Sequence, residues 1–296
     1  MSSPPILVAG SALWDIVART ERLMRPKHDV PGRISRQLGG VALNVALELV
    51  RQGARVELLS AVGTDAEGDA LVASVTSAGV GCDHVARIDG ATDSYLAIED
   101  GSGDVFAAVA DCMRLEDASD VVLAPLRDTR LGAASDPWGG VLVVDGNFPR
   151  TVLDTLATDP VFAACRLALV PASPGKAKRL IGAMRHPRSV LYLNRTEAEI
   201  LCDAQFSSAA LAAEALVGMA ATEVVVTDGH RPAAVADAHS MRTVTPPQVN
   251  ARTSTGAGDV FLAAHLNARE GGATQDDALT QALAAASRHI TGHRIA

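Results

Sequence analysis

The chain is poor in cysteine, has no long apolar run and carries no excess of positive charge, and each absence removes a class of protein. Four cysteines (Cys82, Cys112, Cys165, Cys202) are scattered over 296 residues with no C-x-x-C pair. That gives no zinc signature and fits a reducing compartment. No stretch approaches the ~18 apolar residues of a membrane-spanning helix. The N-terminal MSSPPILVAG lacks a basic segment followed by a long apolar core. These features read as a soluble cytoplasmic protein. With 26 Lys+Arg against 34 Asp+Glu, the net charge is −8. No basic stripe is available to displace counterions, so nucleic acid is not the expected partner. A small acidic ligand is still compatible where positive potential is local. The eight histidines show no H-E-x-x-H spacing, which leaves a metalloprotease unsupported. A Walker G-x-x-x-x-G-K-[ST] loop, a protein-kinase catalytic loop, fixed-period repeats and low-complexity tails are also missing.

What is present is a large apolar fraction, 48% of residues, arranged as strand–helix alternation. ILVAG (6–10) reads as a buried strand. GGVALNVALELVRQG (39–53) reads as a buried helix stopped at Gly53. RVELLSAVG (55–63) reads as a strand and EGDALVASVTSAGV (67–80) as a helix. Further apolar strands fall at 141–147, 167–170, 189–194 and 223–229, separated by helical runs, with a last helix around DDALTQALAAASRH. Near-continuous apolar strands alternating with helices predict an α/β fold, a mostly parallel sheet covered on both faces. Two segments break this texture. DSYLAIEDGSGDVFAAVAD (93–111) carries a turn-rich centre between strand-like runs, a hairpin signal, and 15–38 lacks helical period. Together they predict a small separate sheet.

In such folds ligands bind at the carboxyl ends of the strands, so residues just after strands matter most. Asp15 follows the first strand and can accept hydrogen bonds from paired hydroxyls, or serve as a turn acid. Gly39 and Gly40 precede a helix and let a ligand approach the backbone. Asn44, one turn in, can both donate to and accept from a sugar diol; an ordinary loop and a satisfied buried Asn fit equally. Asn194 and Glu197, at N-x-x-E spacing, could hold hydrated Mg²⁺ beside a phosphate chain, or simply cap a helix. Thr227 and Gly229 end another strand, where a hydroxyl and bare backbone could line a nucleotide. The sharpest signal is TSTGAGDVF (253–261). Gly256, Ala257 and Gly258 can expose backbone N–H groups at a helix start, an anion site, with Asp259 as the base for an attacking hydroxyl; a Thr255-capped helix with a glycine-rich entry and a dipole-matched acid is the alternative.

The order G-x-x-x-x-D, GG…N, N-x-x-E and GAGD, spread over nearly the whole chain, resembles the ribokinase-like (PfkB-type) carbohydrate kinases. The resemblance implies a doubly wound, mostly parallel α/β domain spanning 1–296, with a small β-sheet lid formed by about 15–38 and 93–111. It implies transfer of the γ-phosphate of Mg·ATP to a sugar hydroxyl. Asp259 would be the base, and Gly256, Ala257 and Gly258 the anion hole. Asp15, Gly39, Gly40 and Asn44 would hold the sugar. Asn194 and Glu197 would organise Mg²⁺, and Thr227, Gly229, Thr255, Gly258 and Asn194 the nucleotide. Finer matches resemble the pseudouridine kinase branch: GGVALNVALELVRQG, the hairpin SYLAIEDGSGDVFAAVADCM, VVDGNFPRTVL, VPASPGKAKRL and LNRTEAE. They add Tyr95, Asp111 and Asn147 to the substrate side and Lys176 to the nucleotide side. The chain departs from the family at Thr253, where many members carry an Asp of a monovalent-cation loop, so K⁺ dependence is open. Met113 is displaced by Cys112, and Phe148 replaces a Leu. Ribose, adenosine or another furanose are the alternative acceptors, and a catalytically silent nucleoside-binding regulator is the non-enzymatic alternative. A homodimer through the lid is the assembly expected by analogy.

Overall fold

The runs ILVA and VLVVD have no polar alternation, and both become strands buried along their whole length. Such strands require cover on two faces. The computed structural model, which describes residues 4–102, 105–250 and 255–292, provides it. The first half carries β1 (Ile6–Ala9), β2 (Leu13–Arg19), β3 (Arg33–Gly39), α1 (Val41–Arg51), β4 (Val56–Leu59), β5 (Ala61–Gly63), α2 (Ala66–Ser77), β6 (Ala86–Ile88), β7 (Ser94–Glu99) and β8 (Val105–Asp111). There follow α3 (Arg114–Asp117), α4 (Ser119–Leu123), β9 (Val141–Asp145), α5 (Arg150–Thr155), β10 (Arg166–Val170), β11 (Ser189–Asn194) and α6 (Arg195–Cys202). The chain continues through α7 (Ala209–Gly218), β12 (Glu223–Asp228), β13 (Arg231–Asp237), β14 (Met241–Val244), α8 (Ala257–Glu270) and α9 (Gln275–Ile290).

The large sheet has the order β14-β13-β12-β11-β10-β9-β1-β4. From β4 to β12 every pairing is parallel, and β13 and β14 add an antiparallel edge. Alternate residues of β1 divide between two cores: Leu7 and Ala9 pack with residues of α4 to α7, Ile6 and Val8 with residues of α1, α2, α8 and α9. The stretch 55–63, expected as one strand, breaks at Ser60, whose hydroxyl donates to the Gly10 carbonyl at 2.6 Å. Its second part, β5, leaves the large sheet and pairs with β6.

The segments expected to form a small sheet do so, in the order β3-β2-β7-β8. Two antiparallel hairpins, β2–β3 and β7–β8, meet through a parallel β2–β7 contact. This sheet begins at Leu13, so Asp15 sits inside a strand rather than just beyond one, a correction to the sequence reading. Trp14 anchors the sheet to the body: its indole N–H donates to the Glu67 carbonyl at 3.0 Å, and the Arg36 guanidinium lies 3.9 Å over its ring. Arg36 also pairs with Glu67. Register sorts the side chains between two faces, because strand neighbours alternate. Asp15 stands opposite Gln37 and Tyr95, whereas Asp111 stands opposite Ser94, which is itself opposite Trp14. Asp111 therefore lies on the other face from Asp15 and Tyr95, and the expectation that all three hold one substrate fails for Asp111.

Candidate active site

The chain leaves β1 toward β4 on one side and returns to β9 on the other. The carboxyl ends of β1 and β9 thus border the crevice where open α/β sheets bind ligands. A fully buried carboxylate, Asp145, closes this crevice at the end of β9. It accepts from the Ser11 amide at 2.9 Å and hydroxyl at 2.8 Å, and from the Ala42 amide at 3.2 Å. The Asn147 amide nitrogen and side chain add two more bonds, both at 2.9 Å. An acid at the first turn of α1 satisfies helix-end N–H groups and opposes the helix dipole. Ser11 adds its hydroxyl, which accepts from the Val41 amide at 3.0 Å.

Three glycines are dictated by this packing. A Cβ on Gly10 would lie 2.3 Å from Asp145 Cγ, one on Gly39 2.3 Å from Asp15 Cγ, and one on Gly40 2.4 Å from the Ser11 carbonyl. Gly40 also has φ +98°, a left-handed backbone that favours glycine. The paired glycines expected to admit a ligand are thus needed for the protein's own close approach. Gly229 and Gly258 differ: a Cβ on either would meet nothing within 4 Å.

α8 begins at the GAGD stretch with Gly256 as its N-cap, φ +78°, and no side-chain cap. Asp259 lies in the first turn and is half-buried. Asn44, from α1, donates Nδ2–H to Asp259 Oδ2 at 3.1 Å. Burial pushes the Asp259 pKa up to about 7; the Asn44 bond lowers it, while the like charges of Asp145 and Glu197 raise it further. Asp15 is raised to about 6 by burial. Asp93, buried just before β7, is raised to about 6 by burial while its carboxylate accepts from the Arg114 amide at 3.2 Å.

Asn194 and Glu197 form a reciprocal capping box at the start of α6. Asn194 Oδ1 accepts from the Glu197 amide and Glu197 Oε2 accepts from the Asn194 amide, each at 2.9 Å. The capping alternative is therefore present in the fold. It leaves the oxygens with unused lone pairs, so it does not exclude a water-mediated metal contact. Burial raises the Glu197 pKa against the Asn194 bond. Beside this box, Pro174, Asn194, Thr196, Thr227 and Gly229 line a hollow of about 280 Å³. Thr227 and Gly229 also border a second, mostly apolar cavity of about 360 Å³, whose walls include Val249, Gly258, Phe261 and Ile290. The two make one groove running past the start of α8.

The Lys176 ammonium, expected on the nucleotide side, donates to Oδ1 of Asn147, expected on the substrate side, at 2.7 Å. The Asn147 side-chain Nδ2–H in turn donates to the Ser11 hydroxyl at 2.8 Å. Thr253 lies outside the described residues. Sequence reasoning overlooked Ser11, Asp93 and Asp145. A signal existed for Asp145: an acid ending a continuous apolar strand, inside the quoted stretch VVDGN. Among the described residues no group of three or more His, Cys, Asp or Glu side chains is placed to hold a metal, and no helix is long and apolar enough to cross a membrane.

Comparison with known proteins is consistent with this geometry. The family model described as pfkB family carbohydrate kinase matches residues 4–294. A pseudouridine kinase of Escherichia coli (strain K12) is 29% identical over 201 residues, 66% of this chain and 60% of that protein. The chain's match thus spans less than two thirds of that curated relative's length. Among solved structures, a carbohydrate kinase from Agrobacterium tumefaciens superposes with a TM-score of 0.82 at 26% identity, covering 98% of this chain and 91% of the other. A ribokinase from Arabidopsis thaliana, solved with ribose and ATP, superposes with a TM-score of 0.76 at 20% identity, covering 98% and 93%. That likeness concerns the fold, which is ribokinase-like.

Proposed function

The chain belongs to the pfkB family of carbohydrate kinases, phosphotransferases with an alcohol acceptor, and on that premise we propose that it phosphorylates a nucleoside, pseudouridine, at the ribose 5′-hydroxyl with ATP. The observation that carries the phosphotransfer is Asp259, while the acceptor assignment is supported by the 29% identity to a pseudouridine kinase. Asp259 is an acid in the first turn of α8, held by Asn44 at 3.1 Å, with a pKa raised to about 7. A base poised near neutral pH can take a hydroxyl proton while remaining largely deprotonated above it.

The placement of the residues supports the following roles. Asp15 and Tyr95, side by side on one face of the small sheet, and Asn44 on α1 hold the sugar hydroxyls. The exposed N–H groups of Gly256, Ala257 and Gly258 meet the negative charge of the transferring group. ATP occupies the groove, its base in the apolar cavity and its phosphates along Asn194, Thr227 and Gly229; the open space around Gly229 and Gly258 supports this placement. The all-oxygen pair Asn194 and Glu197 suits Mg²⁺, which would neutralise phosphate charge there and which usually arrives with its phosphates and keeps several waters. Lys176 would meet the phosphate chain from the acceptor side, a role its bond to Asn147 supports. Closure of the small sheet would exclude water and limit ATP hydrolysis. Its outer face exposes Ile34 at 76% and Val109 at 64%, an apolar surface that supports pairing of two lids in a homodimer.

Coupled ADP release with Mg·ATP and pseudouridine, uridine, adenosine, ribose and fructose tests the reading. A strong preference for pseudouridine is expected. Preference for another furanose would retain Asp259 and reject the pseudouridine assignment. Ligand binding without ADP release would favour the silent regulator.

A further inference from the structure

The GAGD stretch explains why an anion would settle at the start of α8, but not what holds that loop in place. α8 has no side-chain cap, and its N-cap is a glycine in left-handed backbone. A contact comes from the neighbouring helix. His289, in the last turn of α9, places Nε2 2.9 Å from the Thr255 carbonyl oxygen. A carbonyl only accepts, so this nitrogen carries the hydrogen. The same nitrogen would stand 3.3 Å from a Cβ on Gly256, so the imidazole packs directly against the turn.

We propose that His289 is a positioning residue for the anion-hole loop, fixing the Thr255–Gly256 peptide against α9. A trans peptide is planar, with its C=O and N–H directed oppositely. Tethering the Thr255 carbonyl therefore also sets the direction of the Gly256 N–H and the angle at which α8 begins. α9 lines the apolar cavity through Leu283, Ala286, Ser287 and Ile290. Through His289, a helix that touches the nucleotide base also holds the loop that meets its phosphates. The consequence for turnover rests on the phosphotransfer reading; the tether itself does not.

Two variants separate these. In His289→Gln the side-chain amide keeps an N–H donor at nearly the same reach, and in His289→Ala the donor is gone. Amide hydrogen exchange of peptides within 255–262 reads the tether without any assay of activity. We expect exchange in His289→Ala about tenfold faster than wild type and largely restored in His289→Gln, with melting temperatures of all three within a few degrees. Turnover with the preferred acceptor should follow: kcat about tenfold lower in His289→Ala, recovered in His289→Gln, with KM for the acceptor within about twofold, since small misplacements of catalytic groups cost 10- to 100-fold. Unchanged exchange at 255–262 in His289→Ala overturns the proposal whatever the substrate proves to be. Faster exchange with undiminished kcat overturns the positioning role. Equal losses in both variants with a lowered melting temperature would assign His289 to stability instead.

Discussion

Asn44 and Asp259, 215 positions apart in the chain, meet through a 3.1 Å hydrogen bond at the point where α1 and α8 begin. Each comes from a helix start, and each helix start has a different electrostatic state. That of α1 is filled by Asp145 from within the protein. That of α8 has no side-chain cap among the described residues. Among the described residues, then, one of two neighbouring helix N-termini is capped by a carboxylate and the other is not, and an acid with a raised pKa lies in the first turn of the second.

The raised pKa predicts a pH profile. Asp259 must be ionised to accept a proton, so kcat/KM should rise through an acid limb near pH 7 and level off above it. Substituting Asn44→Ala removes the bond that lowers this pKa, so the limb should move to higher pH. The profile of log kcat/KM for the two proteins measures this, and a limb that stays put would sever the Asn44–Asp259 link.

Stability should respond in the opposite sense. The folded pKa of Asp259, about 7, lies above the ordinary value of 3.8, so the folded state holds the proton that the unfolded state releases in between. Wild-type stability from this group is therefore full below about pH 4 and declines as pH rises toward 7. Asp259→Asn removes the decline. Urea unfolding should find the variant more stable than wild type by roughly 1–3 kcal/mol at pH 8, with the gap closing near pH 4.

Asp145 should prove an anchor. Most of its hydrogen bonds converge on one oxygen, Oδ2, and Asp145→Asn must turn an N–H toward donors that need an acceptor. A loss of about 2–4 kcal/mol in unfolding free energy is expected, with a weaker KM for the acceptor because α1 carries Asn44. A variant of wild-type stability would show that the buried carboxylate anchors nothing.

The glycines should separate into two kinds. Gly10→Ala places a Cβ 2.3 Å from Asp145 Cγ and should destabilise the fold by about 2 kcal/mol or more. A Cβ on Gly258 meets nothing within 4 Å, so Gly258→Ala should fold normally and instead raise the KM for ATP by about tenfold. Thermal melts and ATP titrations of both variants check this, and a crossed result would reverse the assignment.

Much of this architecture was legible in the sequence because periodicity and turn chemistry are local. Continuous apolar runs marked the buried strands, and the turn-rich centre of 93–111 marked a hairpin that the structure contains. The start of α8 was equally plain, since few reasons exist for Gly-Ala-Gly before an acid. What was hidden depends on register and on distant partners. Asp111 is close to Tyr95 along the hairpin, yet one step of strand parity puts it on the other face. Gly39 and Gly40 suggested room for a ligand, but their neighbours are Asp15 and Ser11, which only the assembled crevice reveals. The motif around Lys176 gave no sign that its ammonium is bonded to Asn147, 29 positions earlier in the chain. The His289–Thr255 contact joins helices through a backbone carbonyl, which no side-chain pattern can announce.

The most direct measurement is the turnover of Asp259→Asn with ATP and the preferred acceptor, alongside its thermal unfolding. If Asp259 is the base, kcat falls by about 100-fold or more while the fold is retained. Near-normal turnover in a folded variant would contradict the account at its centre.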